Sequence, residues 1–171
     1  RQMCIRDRAR ILAQLPARGS TLSCMFTSPI GPLRFAASGR GVTRVCFEGE
    51  PLLDDALSVS PLVTQELTEY FAGTRREFTV PLDLSGVTEF RAAVLRELAK
   101  VPFGETTTYA QLARAVGNPK AVRAVGSACA TNPLPLFIPC HRVLRSDGQL
   151  GGYRGGVEAK RFLLRMEGID V

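Results

Sequence analysis

The sequence predicts two small domains in series. An α/β N-terminal half is built from an antiparallel sheet plus a helix, and a mostly helical C-terminal half carries a helix-turn-helix. Three observations point there. Residues 21–47 alternate apolar and polar side chains between glycine turns, as half-buried antiparallel strands do. Beyond residue 87 the apolar period lengthens to that of a helix. Within that second half, two short helical stretches meet at a glycine. At 171 residues, 45% of them hydrophobic, the chain can fill two cores.

The elements follow in order. Residues 1–8, RQMCIRDR, have no hydrophobic period and hold three arginines. Residues 3–7 also match one translated frame of a transposon end used in sequencing libraries. They are expected to be a non-native scar in which Cys4 has no function. The N-terminal domain is then placed at 9–86 and the C-terminal domain at 87–171. Residues 21–47 read as a three-strand meander, turning at Gly31-Pro32 and Gly39-Arg40-Gly41. SPLVTQELTEYFAG offers Ser60 as N-cap, Pro61 at the first helical position and Gly73 past the end, with Leu62, Leu67, Tyr70 and Phe71 apolar. REFTVPLDL reads as a further strand, which Pro81 confines to an edge.

In the second half, VTEFRAAVLRELAKV forms an amphipathic helix with Phe90, Val94, Leu95 and Leu98 on one stripe. TTYAQLARAVGNPKAVRAVGSACA gives a helix, a turn at Gly117, and a second helix with Asn118 as N-cap and Pro119 in its first turn. That second helix presents small residues around Arg123, namely Ala121, Ala124, Gly126, Ser127, Ala128 and Ala130. Such a face suits close approach to a nucleic-acid groove, or tight packing on a neighbouring helix. Residues 132–156 are rich in proline and glycine. VEAKRFLLRMEG closes the chain as a helix with Phe162, Leu163 and Met166 apolar and Gly168 as its cap.

Composition narrows the chemistry. Residues 87–171 hold 12 Lys and Arg against 7 Asp and Glu, a net of +5; residues 1–86 hold 10 against 9. A basic half suggests a polyanionic partner, nucleic acid first. The five cysteines are widely spaced, odd in number and without a CxxC, which argues against a disulfide framework. One histidine rules out a two-histidine zinc site. No apolar run approaches the roughly 18–20 residues that span a bilayer, so a cytoplasmic protein with no membrane contact is expected.

That one histidine, His141, follows Cys140 directly in LFIPCHRVLRSDG. A thiol attacks as thiolate, so a reactive cysteine needs a base, and His141 is the imidazole available. Adjacency creates a difficulty, because neighbours on an extended strand point to opposite faces. Either the backbone bends there or a water carries the proton. A histidine so used needs a carboxylate to fix its tautomer, and Glu167, Glu158 and Asp147 are the local choices. Glu167 ends the last helix, where its charge opposes the dipole, so a tertiary partner is expected for it. For the bare dipeptide, a buried cysteine beside an exposed histidine is the commoner outcome.

The wider segment changes that balance. NPLPLFIPCHRVLRSDGQLGGYRGG, with PFGETTTYAQLARAVGNPKAVRAVGSA before it and AKRFLLRMEG after it, resembles the 6-O-alkylguanine-DNA alkyltransferases, the methylated-DNA–protein-cysteine methyltransferases. The resemblance covers about residues 89–168. It implies a ribonuclease-H-like N-terminal domain and a winged helix-turn-helix C-terminal domain. It also implies a suicide repair protein that flips 6-O-alkylguanine out of double-stranded DNA and takes the alkyl group in one turnover, with 4-O-alkylthymine left open as a second target. On this resemblance Cys140 is the acceptor, His141 its base through water, Glu167 the orienting acid, and Tyr109 assists departure of the guanine. Arg123 replaces the extruded nucleotide, with Ala124 and Ser127 on the same minor-groove helix. Asn132 braces the turn to the active-site strand. Tyr153, Gly155 and the backbone at Val143 and Arg154 close over the base. The side chain of Arg154, where some members carry Ser or Ala, could contact phosphate. The family works without a cofactor. Some members hold a structural zinc in the N-terminal domain, but this one has no histidine there, so no metal is expected. A monomer acting with low sequence preference is implied. Two other classes stay open on the residues alone: a DNA-binding regulator or damage sensor without chemistry, and a cysteine hydrolase with many turnovers. No oxyanion motif speaks for the hydrolase.

Overall fold

The computed structural model describes residues 25–51 and 60–171, which divide into two compact units between Leu84 and Ser85. The suspected scar, Cys4, Cys24 and the first part of the proposed meander lie outside the described residues. Among the described residues, no helix is long and apolar enough to cross a membrane.

The first unit is an antiparallel meander, β1 (Met25–Ser28), β2 (Gly31–Ser38) and β3 (Gly41–Cys46), followed by α1 (Pro61–Phe71). Its first turn is Pro29-Ile30, closed by Ser28 Oγ donating to Gly31 O at 2.6 Å, and Gly31-Pro32 instead open β2. Leu33, Phe35, Val42, Val45, Val63, Leu67 and Tyr70 form the core. Pro61 occupies the first turn of α1, and Gly73 follows it at φ +74. The expected strand in REFTVPLDL does not form. Only Leu82 bridges, parallel to Val42, as Val42 N donates to Pro81 O and Asp83 N to Val42 O, both at 2.8 Å. The reason lies next door. Buried Glu66 of α1 accepts from Thr79 N at 2.8 Å and Val80 N at 3.2 Å, and Pro81 has no N–H to give. Donors that a ladder needs are already taken by a carboxylate.

The second unit holds four helices among its described elements: α2 (Glu89–Leu98), α3 (Tyr109–Ala115), α4 (Val122–Ala130) and α5 (Val157–Met166). Two short strands, β4 (Thr107–Thr108) and β5 (Val143–Leu144), pair in parallel. Ala92, Val94, Leu95 and Leu98 bury one face of α2, while Phe90, on the same stripe one turn before Val94, is exposed at the helix start. Helix α4 starts later than its sequence suggests. Asn118 and Pro119 belong to a turn in which Ala121 N donates to Asn118 O at 3.0 Å, so the proline fixes that turn rather than the helix start. Gly117 sits at φ +76, as the reversal between α3 and α4 requires. Arg91 of α2 donates to Thr131 O at 2.6 Å, satisfying a carbonyl at the end of α4. On α5 the buried face is Ala159, Lys160, Leu163 and Leu164, with Phe162 turned outward.

Candidate active site

Cys140 is placed by devices on both sides of it. Upstream, Asn132 stitches the connector after α4: its Nδ2 donates to Ile138 O at 2.8 Å and its Oδ1 accepts from Leu134 N at 3.0 Å. The loop so closed holds Leu136 at φ +74, uncommon for a residue with a side chain, while Leu134, Leu136 and Ile138 are buried beneath it. Downstream, Cys140–Arg142 make one turn of 3-10 helix leading into β5. Because β5 pairs with β4 and β4 runs straight into α3, the start of α3 lies beside the cysteine segment. Tyr109 and Cys140 therefore line one pocket of about 320 Å³, with Cys129, Ala130, Gly152, Tyr153 and Arg154.

The 3-10 turn settles the adjacency difficulty. At three residues per turn, successive side chains diverge by about 120°. Cys140 lines the pocket while His141 is fully buried, its Nε2 2.9 Å from Glu167 Oε1. Glu167 follows the last turn of α5 and also receives Arg142, Nε on Oε2 at 2.8 Å and Nη2 on Oε1 at 2.9 Å. Arg142 further donates to Val101 O at 2.6 Å. Of the three carboxylates open on sequence, Glu167 is the one against His141; Asp147 pairs with Arg145 and Glu158 with Arg161 at the surface. A guanidinium is always charged, so its bidentate grip keeps Glu167 an anion. Nε2 must then donate to it, which leaves Nδ1 as the basic nitrogen.

Electrostatics set the resting protonation. Burial pushes the Cys140 thiol upward, opposed by a hydrogen bond with Asn132 and by the charges of Arg154 and Lys160. Burial pulls the His141 imidazole downward, against the hydrogen bond and charge of Glu167. The ground state is thus thiol and neutral imidazole, and the proton moves only when reaction demands it. Burial also raises the Tyr109 phenol, keeping it a proton donor. Cys129 is pushed up to about 12 by burial and stays an unreactive thiol at neutral pH.

The remaining candidates fall in two groups. Around the pocket, the Tyr153 ring meets His141 edge-on, 6.4 Å between centroids at 84°. Gly151, at φ +67, runs close enough to Tyr109 that a Cβ there would lie 3.3 Å from the hydroxyl. Arg154, open on sequence to phosphate contact, turns inward: its Nη1 donates to Asn132 O at 2.7 Å. Val143 is fully buried and Gly155 half-buried. On α4, Arg123, Ala124 and Ser127 are exposed together, a low face with one long cation.

Sequence reasoning missed two residues. One is Arg142, the clamp on Glu167. The other is Lys160, fully buried, its Nζ donating to Val143 O at 2.6 Å and also to Leu150 O. It ties β5 to the glycine loop, and burial lowers its ammonium to about 8. A signal existed: Lys160 and Glu167 stand seven apart, on the same helical face as Leu163 and Leu164.

Comparisons with known proteins agree in both halves. Residues 89–169 match the family model described as 6-O-methylguanine DNA methyltransferase, DNA binding domain, and residues 23–84 match its ribonuclease-like domain. A methylated-DNA–protein-cysteine methyltransferase of Methanosarcina acetivorans is 39% identical, covering 84% of this chain and 96% of its own. One from Haemophilus influenzae is 41% identical, covering 84% of each. The crystal structure of Mycobacterium tuberculosis OGT in complex with DNA has a TM-score of 0.78 at 39% identity, over 84% of this chain and 90% of that one.

Proposed function

Because the chain belongs to the 6-O-methylguanine DNA methyltransferase family, we propose that it repairs duplex DNA by moving the alkyl group of 6-O-alkylguanine irreversibly onto Cys140. The observation that carries this is a thiol lining a base-sized pocket with Tyr109 and Tyr153, backed by a buried His141–Glu167–Arg142 array.

DNA is the partner, a reading supported by the M. tuberculosis relative solved in complex with it. A base inside a duplex is out of reach, so the target nucleotide swings out at a cost of a few kcal/mol. The exposed face of α4 lies in the minor groove, Ala124 and Ser127 allowing close approach while Arg123 fills the gap left in the stack. Few base-edge donors on that face mean weak sequence preference. The protein acts as a monomer. In the pocket, Tyr153, Gly155 and the backbone of Val143 and Arg154 hold the base.

The chemistry follows from the protonation states. The Cys140 proton passes through a water to Nδ1 of His141, and the resulting imidazolium is stabilised by Glu167, which Arg142 keeps ionised. The thiolate attacks the alkyl carbon, an S–C bond forms, and the bond from that carbon to O6 breaks. The electron pair moves into guanine, which takes a proton from the Tyr109 hydroxyl. The proton held by His141 then returns through water to Tyr109, so that in net terms the thiol proton ends on guanine. The net change is a thioether at Cys140 and an unmodified guanine. The S–C bond of a thioether is not activated toward water, since breaking it would expel a thiolate from an alkyl carbon, so the protein is consumed.

The test is mass measurement after incubation with duplex DNA containing 6-O-methylguanine. A gain of one methyl group, mapped to Cys140 and absent in Cys140→Ala, is expected. No gain would sink alkyl transfer and leave a damage-binding protein, and repeated turnover would make it a hydrolase.

A further inference from the structure

The connector between α2 and β4 touches both charged members of the array behind His141. Pro102, Phe103, Gly104 and Glu105 form a turn in which Glu105 N donates to Pro102 O at 3.2 Å, with Gly104 at φ +80. That φ suits the third residue of a type II turn, where glycine is favoured. Just before the turn, Val101 O accepts from Arg142 Nη1 at 2.6 Å. Within it, the Phe103 ring faces the Arg142 guanidinium, whose central carbon lies 5.9 Å from the ring centre. Gly104 N donates to Glu167 Oε2 at 3.4 Å, the oxygen that also takes Arg142 Nε. Oε1 is shared by His141 Nε2 and Arg142 Nη2, each at 2.9 Å. A Cβ on Gly104 would stand 3.2 Å from Glu167 O, so close approach and positive φ both favour glycine there.

We propose that Phe103 and Gly104 are positioning residues for alkyl transfer, holding guanidinium and carboxylate in one register so that Glu167 stays aimed at His141 Nε2. This rests on the alkyl-transfer reading above. Arg142 donates to both Glu167 oxygens, so where the guanidinium sits decides where the carboxylate points. When the imidazole takes the Cys140 proton, the new cation competes with the guanidinium for that carboxylate. An Arg142 free to slide would draw the carboxylate away. Instead Arg142 is held on three sides, by the carboxylate, by Val101 O and by the face of Phe103. A ring face attracts a cation most where water is excluded, and the Arg142 side chain is only 6% exposed. Gly104 adds a neutral backbone donor to the carboxylate, one that does not move with Arg142.

Single-turnover transfer from duplex DNA containing 6-O-methylguanine tests this through two quantities, the rate constant and the fraction of protein finally methylated. A residue that only supports the fold changes the fraction, whereas a positioning residue changes the rate constant of the molecules that do react. Phe103→Leu keeps an apolar side chain but loses the ring, and its rate constant should fall about 10-fold, the size of a cation–ring contact shielded from water. Phe103→Tyr, which keeps the ring, should restore it. Gly104→Ala should lower the rate constant as well. Phe103→Leu reacting at the unaltered rate overturns the proposal, and so does a Phe103→Tyr protein as slow as Phe103→Leu. Should Phe103→Leu fail to fold, Phe103→Met carries the same expectation and the same power to overturn. An unaltered rate constant in Gly104→Ala removes Gly104 from the role. Methyl transfer that none of these changes slows sinks this inference alone, whereas absence of transfer in the unaltered protein sinks the alkyl-transfer reading and this one with it.

Discussion

Glu167 accepts from an imidazole and a guanidinium at once, and both partners are buried with it. Replacing it by glutamine keeps the shape but leaves Arg142 as an uncompensated buried charge. Breaking a buried pair from one side costs about 3–5 kcal/mol. Glu167→Gln should therefore lower the denaturant midpoint and also slow transfer, since the imidazolium loses its counter-charge; an unchanged midpoint would contradict the role given to Arg142. Lys160 makes a different prediction. Its ammonium falls from the ordinary 10.5 to about 8 in the folded chain because burial disfavours the charge. Between those values the unfolded chain binds the extra proton, so stability rises with pH across that window and is flat below it as far as this group is concerned. Melting temperatures of the protein and of Lys160→Met, compared from pH 7.5 to 10.5, should show that rise in the first and lose it in the second.

At the scale of elements, the start of α3 is the joint on which the pocket turns. Thr108 Oγ1 accepts from Gln111 N at 3.2 Å while Gln111 Oε1 accepts from Thr108 N at 2.8 Å, a complete capping box. Tyr109 is the next residue, so the cap fixes where the phenol stands. Thr108→Ala should cost about 1 kcal/mol of unfolding free energy, and slow transfer by more than Cys140 accessibility to a small thiol reagent changes. The second joint is Gly151. Gly151→Ala meets a φ of +67 and the Tyr109 hydroxyl at 3.3 Å, and an alanine forced there costs about 1–2 kcal/mol. Reduced transfer with an intact fold by circular dichroism is the expected result.

For the whole molecule, charge and chemistry separate. The C-terminal half carries a net +5 and the N-terminal half +1, so binding to DNA should weaken steeply as salt rises, with a slope set by the phosphates neutralised. Arg123 is exposed near the start of α4 and is not among the residues lining the pocket, to which the end of the same helix contributes Cys129 and Ala130. Arg123→Ala should slow repair within duplex DNA while leaving reaction with free 6-O-benzylguanine nearly unchanged. Equal losses in the two assays would remove the extrusion role from Arg123.

The sequence by itself determined the two-part order and the helix-turn-helix, and marked Cys140–His141 as the candidate centre, because each is written in local period, turn residues or contiguous motif. On the residues alone Glu167 was one of three candidate carboxylates and a charge misplaced at a helix end; the family resemblance singled it out. The tertiary structure decided what depends on distant partners. REFTVPLDL has a strand's pattern, but Glu66 takes its donors; Asn118 and Pro119 look like a helix start, but the chain uses them to turn first. Phe90 stands one turn before buried Val94 and Phe162 beside buried Leu163, yet both are exposed, since helical period says which residues share a face and not how far its cover extends. Arg142 and Lys160 count in the sequence only toward the basic charge of the second half, and folding buries them against a carboxylate and two carbonyls. A side chain's role follows from what surrounds it, and those surroundings are assembled from segments as far apart in the chain as Val101, Asn132 and Glu167.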